Sequence, residues 1–374
     1  MAAAFGCLFV IGLLDNARAP LFPEVLAGLT LSDAEGAWLF AAASAGGGAG
    51  SLLTRLVLAR ARPSQALWGG LVVAAAGMHV MGTSRGLPGL VAGSALFGVA
   101  FGALSLVQGA LIQRGVPPPQ QRRAFSGLHS MYGAASLLAP LLVAAGGRLG
   151  LDWRGALHLL ACAPLALVAL TARLGDAPGP AASTPTAATP AALRGRALLV
   201  CLMAAVYVSA ELAVSTRLPL HLQRLGWSPD EAALGLSAFF ACLLAGRVLL
   251  GVVRTTRTHR QVLAASAGAS VVLAALGLAV HPALLCAAGL TMAPFFPTAS
   301  ALVADEFPGA FDRVMSTLLA LVCVCVMLTH AGLGALSDAF ELRRALWLAP
   351  ALLVVTLGLV GVSARRPAPP PERL

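Results

Sequence analysis

Long apolar runs follow one another along nearly the whole chain, separated by short polar stretches rich in Arg, Pro and Gly. Twelve are long enough to predict membrane-crossing helices, at 2–26, 35–58, 66–82, 87–113, 126–145, 156–174, 197–223, 230–253, 261–280, 282–303, 314–336 and 345–362. Backbone groups in lipid must bond within their own segment. Continuous runs of this length are therefore helices, not the short alternating strands of a barrel. Only His281 and Pro282 separate the ninth span from the tenth. Between the sixth and seventh lies a Pro-, Ala-, Thr- and Gly-rich stretch with no apolar periodicity. The expected organisation is a six-helix bundle over 1–174, a cytoplasmic linker over 175–196 and a second six-helix bundle over 197–374. The fold class is all-α and integral to a membrane, with twelve spans in two pseudo-symmetric halves.

An internal repeat supports that division. Asp15 and Glu211 sit midway along the first and seventh spans, 196 residues apart, and the same offset relates Ser32 to Ser228, Gly50 to Gly246 and Gly93 to Gly289. Asp15 is followed by Arg18, Pro20 and Leu21, and Glu211 by Arg217, Pro219 and Leu220. Ser-Asp-Ala-Glu at 32–35 and Ser-Pro-Asp-Glu at 228–231 read as helix N-caps with acids in the first turn. A carboxylate in hydrocarbon is costly unless paired, protonated or wetted, so two acids at matching depth are candidates for proton coupling. The structural alternatives are definite. Asp15 could cap a helix broken near Pro20 and Pro23 or neutralise Arg18 one turn away, and Glu211 could hydrogen-bond another helix.

Composition agrees. Of 374 residues, 58% are apolar and only 11% charged, with a mean hydropathy of +0.85, which excludes a water-soluble globule. The net charge is +10 and every basic residue is Arg. With both termini cytoplasmic, sixteen arginines fall on cytoplasmic segments and eight on outer ones, which favours that orientation. They are scattered through short loops, so nucleic acid is not an expected partner. The seven cysteines all lie in apolar runs without paired spacing and read as packing residues. The run from Ala2 to Leu14 has no preceding positive charge and no usable cleavage site, and is read as the start of the first span. The glycine-dense stretches at 46–50 and 98–102 lack the Lys-Ser/Thr ending of a phosphate loop and read as close helix packing.

Other polar positions complete the candidate site. Tyr207 and Ser215 lie one turn either side of Glu211, and His129 and Tyr132 can share a face of the fifth span. Asn16, Arg18, Gln108, Arg217 and His330 are further polar groups at membrane depth, and Phe295 and Phe296 lie between Pro294 and Pro297. All of these are candidates for substrate contact. His79, His129, His158 and His330 fall on four different spans, with no metal-ligand spacing.

The run Tyr207-x-x-x-Glu211 followed by Ser215, Leu218 and Pro219, together with Ala293-Pro-Phe-Phe-Pro-Thr298, resembles the major facilitator superfamily and within it the fucose permease-like branch of sugar and solute symporters. The family's signature between its second and third helices survives as Gly50, Arg55, Arg60 and Arg62, with Thr54 where an acid would stand. Gly246-Arg247 is a second partial copy, and Gly332-x-Gly334-x-x-x-Asp338 ends the eleventh span. The resemblance implies gate roles for Gly50, Arg55, Arg247 and Asp338. It also implies a non-enzymatic, proton-coupled carrier of a small polar solute, a sugar being the favoured class, that works by alternating access as a monomer in the plasma (inner) membrane. The expected partners are a small-molecule substrate, protons and the lipid bilayer, with no cofactor and no metal. An efflux antiporter of drugs or metabolites, and a non-transporting membrane enzyme or receptor, stand as alternatives.

Overall fold

The computed structural model describes residues 2–58, 60–172, 195–253 and 256–365. The chain divides into two units, Met1–Ala187 and Ala188–Leu374. Almost all of the expected linker at 175–196 lies outside the described residues.

The first unit contains α1 (Ala2–Leu29), α2 (Asp33–Gly36), α3 (Trp38–Leu58), α4 (Pro63–Thr83), α5 (Leu87–Gly115), α6 (Pro118–Arg148) and α7 (Trp153–Thr171). The second contains α8 (Arg196–Arg224), α9 (Pro229–Val252), α10 (His259–Ala279), α11 (Ala283–Met292), α12 (Phe295–Glu306), α13 (Phe311–Phe340), α14 (Leu342–Ala345) and α15 (Leu348–Arg365). Among the described residues, eleven helical segments are long and apolar enough to cross a membrane, with α11 and α12 together making one of them. Helix α3, at the expected second span, is 21 residues long and carries Arg55 as its one charge, but is not among those eleven.

The repeat reappears in the packing. In the first unit α1 packs on α6 and α7, α3 on α5, and α4 on both α5 and α7. In the second, α8 packs on α13 and α15, α9 on α11, and α10 on both α11 and α15. Exchanging α1, α3, α4, α5, α6 and α7 for α8, α9, α10, α11, α13 and α15 turns one list into the other. A duplicated apolar pattern has buried its stripes in the same order twice.

The helix starts follow the chemistry of the turns. Ser32 accepts from the Glu35 amide and Ser228 from the Glu231 amide, each closed into a capping box by the glutamate reaching back. At the opposite kind of end, two arginines cap buried carbonyls. Arg154 Nη1 donates to Gly82 O (2.9 Å) and Ser84 O (2.6 Å) past the end of α4, and Arg343 donates to Leu278 O (3.0 and 3.1 Å) near the end of α10.

The seam between α3 and α5 is set by glycine. A Cβ on Gly98 would lie 2.1 Å from Ala43 O, and one on Gly50 would lie 2.0 Å from Val99 O. Only hydrogen fits there, so the small residues four apart let the two backbones touch. That confirms the packing reading of both glycine-dense stretches and gives Gly50 a packing place.

The tenth span, expected over 282–303, is present as Ala283–Glu306, but in two pieces, α11 and α12, broken at Ala293 and Pro294. Pro294 and Pro297 have no N–H to donate, so the carbonyls one turn before them lose their helical partners. The break is stitched from neighbouring helices: Ser266 Oγ on α10 donates to Thr291 O (2.6 Å), and the Tyr207 hydroxyl on α8 donates to Met292 O.

At the end of the second unit where α8 begins, Glu306 closes α12 against two arginines. Arg196 donates through Nε (2.6 Å) and Nη2 (2.9 Å), Arg260 makes a further ion pair, and Arg196 Nη1 reaches Ser363 O (3.1 Å) on α15. Four helices are thereby tied at one level.

Candidate functional site

In the first unit, Pro20 and Pro23 inside α1 leave the carbonyls of Asn16 and Ala19 without helical partners. Next to this loosened turn stands Asp15. One of its carboxylate oxygens pairs with Arg18 Nη2 and the other accepts from the Tyr132 hydroxyl of α6 at 2.6 Å. Arg18 is 6% exposed and Asp15 23%. The guanidinium also donates to Leu39 O (3.0 Å) and Asp15 O (3.3 Å), and lies over the rings of Phe97 (4.7 Å) and Phe40 (5.4 Å). Asn16 turns back to donate to Gly12 O at 2.8 Å. Of the readings open for Asp15, the geometry realises the ion pair with Arg18. The aromatic faces of Phe40 and Phe97 belong to this cluster and were missed, since nothing in the local sequence links them to Arg18.

Gln108 and His129 part from that cluster. Gln108 is 1% exposed and donates to Cys7 Sγ at 3.1 Å, joining α5 to α1. His129 is exposed on α6 while Tyr132 is held by Asp15. The histidines hold one surprise: His79 of α4 and His158 of α7, 79 positions apart, bring their rings to 4.8 Å between centroids.

In the second unit Glu211 lies midway along α8, partly buried. Among the described residues it makes no hydrogen bond and no ion pair. Arg247 of α9 is within electrostatic reach without touching it. Tyr207, one turn before, does not bond Glu211. It is fully buried, its ring stacked 3.7 Å from that of Phe295 at 8° and its hydroxyl on the broken helix. Phe295 is fully buried as well, whereas Phe296 keeps part of its surface open. Ser215, Arg217 and His330 are buried, the first two on α8 and the last on α13. Pro219 frees the carbonyl of Ser215 as Pro23 frees that of Ala19.

The two gate candidates of the second unit lie at opposite ends of it. Arg247 stands near the end of α9, at the same end of its unit as Arg196 and Glu306. Asp338 is exposed near the end of α13, a helix that starts at that level and runs to the other. The two cannot serve one gate. Arg55 lies on α3, and its side chain is outside the described residues.

Two bundles of membrane-length helices, repeating one packing order and each carrying a mid-span carboxyl, define a polytopic membrane carrier. The comparisons agree: a model of the Major Facilitator Superfamily matches residues 4–286 and 218–374, and the chain belongs to that family of transporters, which are not enzymes. No curated protein sequence matches. Among solved structures, the chain is similar to the nucleoside transporter NupG, with 12% identity, a TM-score of 0.79 and coverage of 98% of this chain and 99% of that one. It is also similar to a D-xylose-proton symporter (16%, 0.78, 96% and 96%) and to the E. coli fucose:proton symporter FucP (14%, 0.65, 98% and 98%). At such identities the likeness is one of fold.

Proposed function

We propose that this transporter is a proton-coupled symporter of a small polar solute, with sugars the favoured class, and that Glu211 carries the coupled proton. The observation behind this reading is that Glu211, a carboxyl at mid-span, has no hydrogen-bond or ion-pair partner among the described residues, with Arg247 near enough to act on its charge but not to bond it. Such a group is tolerable only when protonated or wetted, so it has reason to take up and release a proton as its surroundings change. Asp15 has a different part. Its charge is balanced by Arg18 and its second oxygen is engaged by Tyr132, an arrangement that positions donors for a polar solute and sets its affinity. Arg247 and Arg55 are assigned to the gate, and the exposed His129 and partly open Phe296 to solute contact. The arginine bias supports cytoplasmic termini. The resemblance in α8 and α12, and the sugar-proton symporters among the structural neighbours, support the substrate class.

The test is uptake in proteoliposomes. Pentoses, hexoses and deoxyhexoses are offered in turn while external pH is recorded. A sugar whose entry alkalinises the outside supports the proposal. Counterflow of protons against solute, or entry without any pH change, overturns the coupling.

A further inference from the structure

The first unit has a hollow that is lined by Gly50 and Thr54 but includes neither Asp15 nor any of its partners. Helices α3 and α4 hardly touch each other, although both pack on α5. Between them, toward the end where α3 passes into α4, runs a groove of about 340 Å³, within the roughly 300–1,000 Å³ of pockets that hold small ligands. Its walls include Val57, Ala61, Gly69, Gly70 and Ala100. The one hydroxyl on the α3 side, Thr54 Oγ1, is already donated to Gly50 O at 2.8 Å. From α4 come Gln65, whose Oε1 already accepts from the Arg62 amide at 3.1 Å, and then Ala66, Gly69, Gly70 and Val73, so the depth of the groove offers methyl and methylene groups and its one side-chain amide lies at the Arg62 end. The outer lip, Leu53 and Val57, is exposed together with Leu52 and Leu56, as expected of a surface facing lipid.

Charge says what covers it. Ala61 lines the mouth, and its neighbours Arg60 and Arg62 are both exposed. Between Glu35 and Asp152 the sequence contains no acid at all, so no carboxylate of α3, α4, α5 or α6 can meet these arginines. The second unit does the opposite, closing Arg196 and Arg260 on Glu306. Two arginines exposed at the mouth of an apolar groove, with no acid on the helices around them, are arranged for an external anion with a hydrocarbon tail.

We propose that this groove binds one acyl chain of an anionic phospholipid, with the phosphate held by Arg60 and Arg62. On the proposed orientation the lipid belongs to the cytoplasmic leaflet. Basic residues at a membrane surface favour anionic headgroups by an amount that, for two arginines, corresponds to roughly thirtyfold over a zwitterionic lipid at low salt, shrinking as salt rises.

The experiment is native mass spectrometry of the purified full chain, titrated with phosphatidylglycerol or phosphatidylcholine of identical acyl chains, with thermal melts alongside. Two variants separate the parts. R60Q/R62Q changes exposed side chains, and Gly69→Leu fills the groove at a position where an added Cβ meets nothing within 4 Å. Wild type should retain one phosphatidylglycerol in strong preference to phosphatidylcholine. R60Q/R62Q should bring the two lipids to within about threefold, and Gly69→Leu should lose the retained lipid while melting like wild type without lipid. Equal retention of both lipids by wild type overturns the proposal, as does undiminished retention by Gly69→Leu. Glycerol phosphate stabilising the protein as well as the intact lipid would show a free-phosphate site and overturn the role of the groove.

Discussion

Asn in place of Asp15 removes a charge and almost no volume, so its effect isolates the pairing with Arg18. Exposed ion pairs contribute under about 1 kcal/mol, and breaking a buried one costs roughly 3–5 kcal/mol. With Arg18 at 6% and Asp15 at 23% exposure, the pair sits toward the buried end. The guanidinium keeps Leu39 O and two aromatic faces after the change. Those remaining contacts lower the expected loss to about 2 kcal/mol, or a melting temperature lower by roughly 4–8 °C for a unit of this size. The assay is a double-mutant cycle of Asp15→Asn, Arg18→Met and the pair of changes together, followed by thermal denaturation in one detergent. The double variant should be more stable than the sum of the single losses allows, because it leaves no orphaned cation. Strict additivity, or an Asp15→Asn protein as stable as wild type, would refute the standing ion pair and return Asp15 to the role of a free titrating carboxyl.

Four other substitutions probe the scaffold. Gly98→Ala forces a Cβ against Ala43 O and should cost about 1–3 kcal/mol by melting, whereas Gly69→Ala, in open space, should be neutral or slightly stabilising. Glu306→Gln strands Arg196 and Arg260 and should cost about 3 kcal/mol, more than the same change at the exposed Glu35. Tyr207→Phe keeps the stack on Phe295 but leaves Met292 O without its hydroxyl, so a loss of roughly 1–3 kcal/mol is expected with the helix break intact.

What was legible in the sequence was what repeats or recurs locally. The 196-residue offset between Asp15 and Glu211 announced a duplication, and the shared packing order realises it. Ser32 and Ser228 announced helix starts because capping is a contact between residues three apart. The break in the tenth span is legible in Pro294 and Pro297, which mark a kink around Phe295 and Phe296, though hydropathy alone does not register lost N–H donors. Partnerships across helices were not legible. Tyr132 is 117 residues from Asp15 and His79 is 79 from His158, and helical spacing rules reach only one turn along a single helix. The two family-like motifs around Tyr207 and Phe295 were read separately, yet the structure stacks one on the other. That Asp338 and Arg247 stand at opposite ends of their unit follows from which end each helix reaches, which motif resemblance does not state.

The central claim is that Glu211 carries the coupled proton, and Glu211→Gln tests it most directly. Proteoliposomes containing this variant, loaded with substrate and assayed for both pH-gradient-driven accumulation and counterflow exchange, should exchange solute while accumulating none. Accumulation that still follows the pH gradient as it does in wild type would contradict the account.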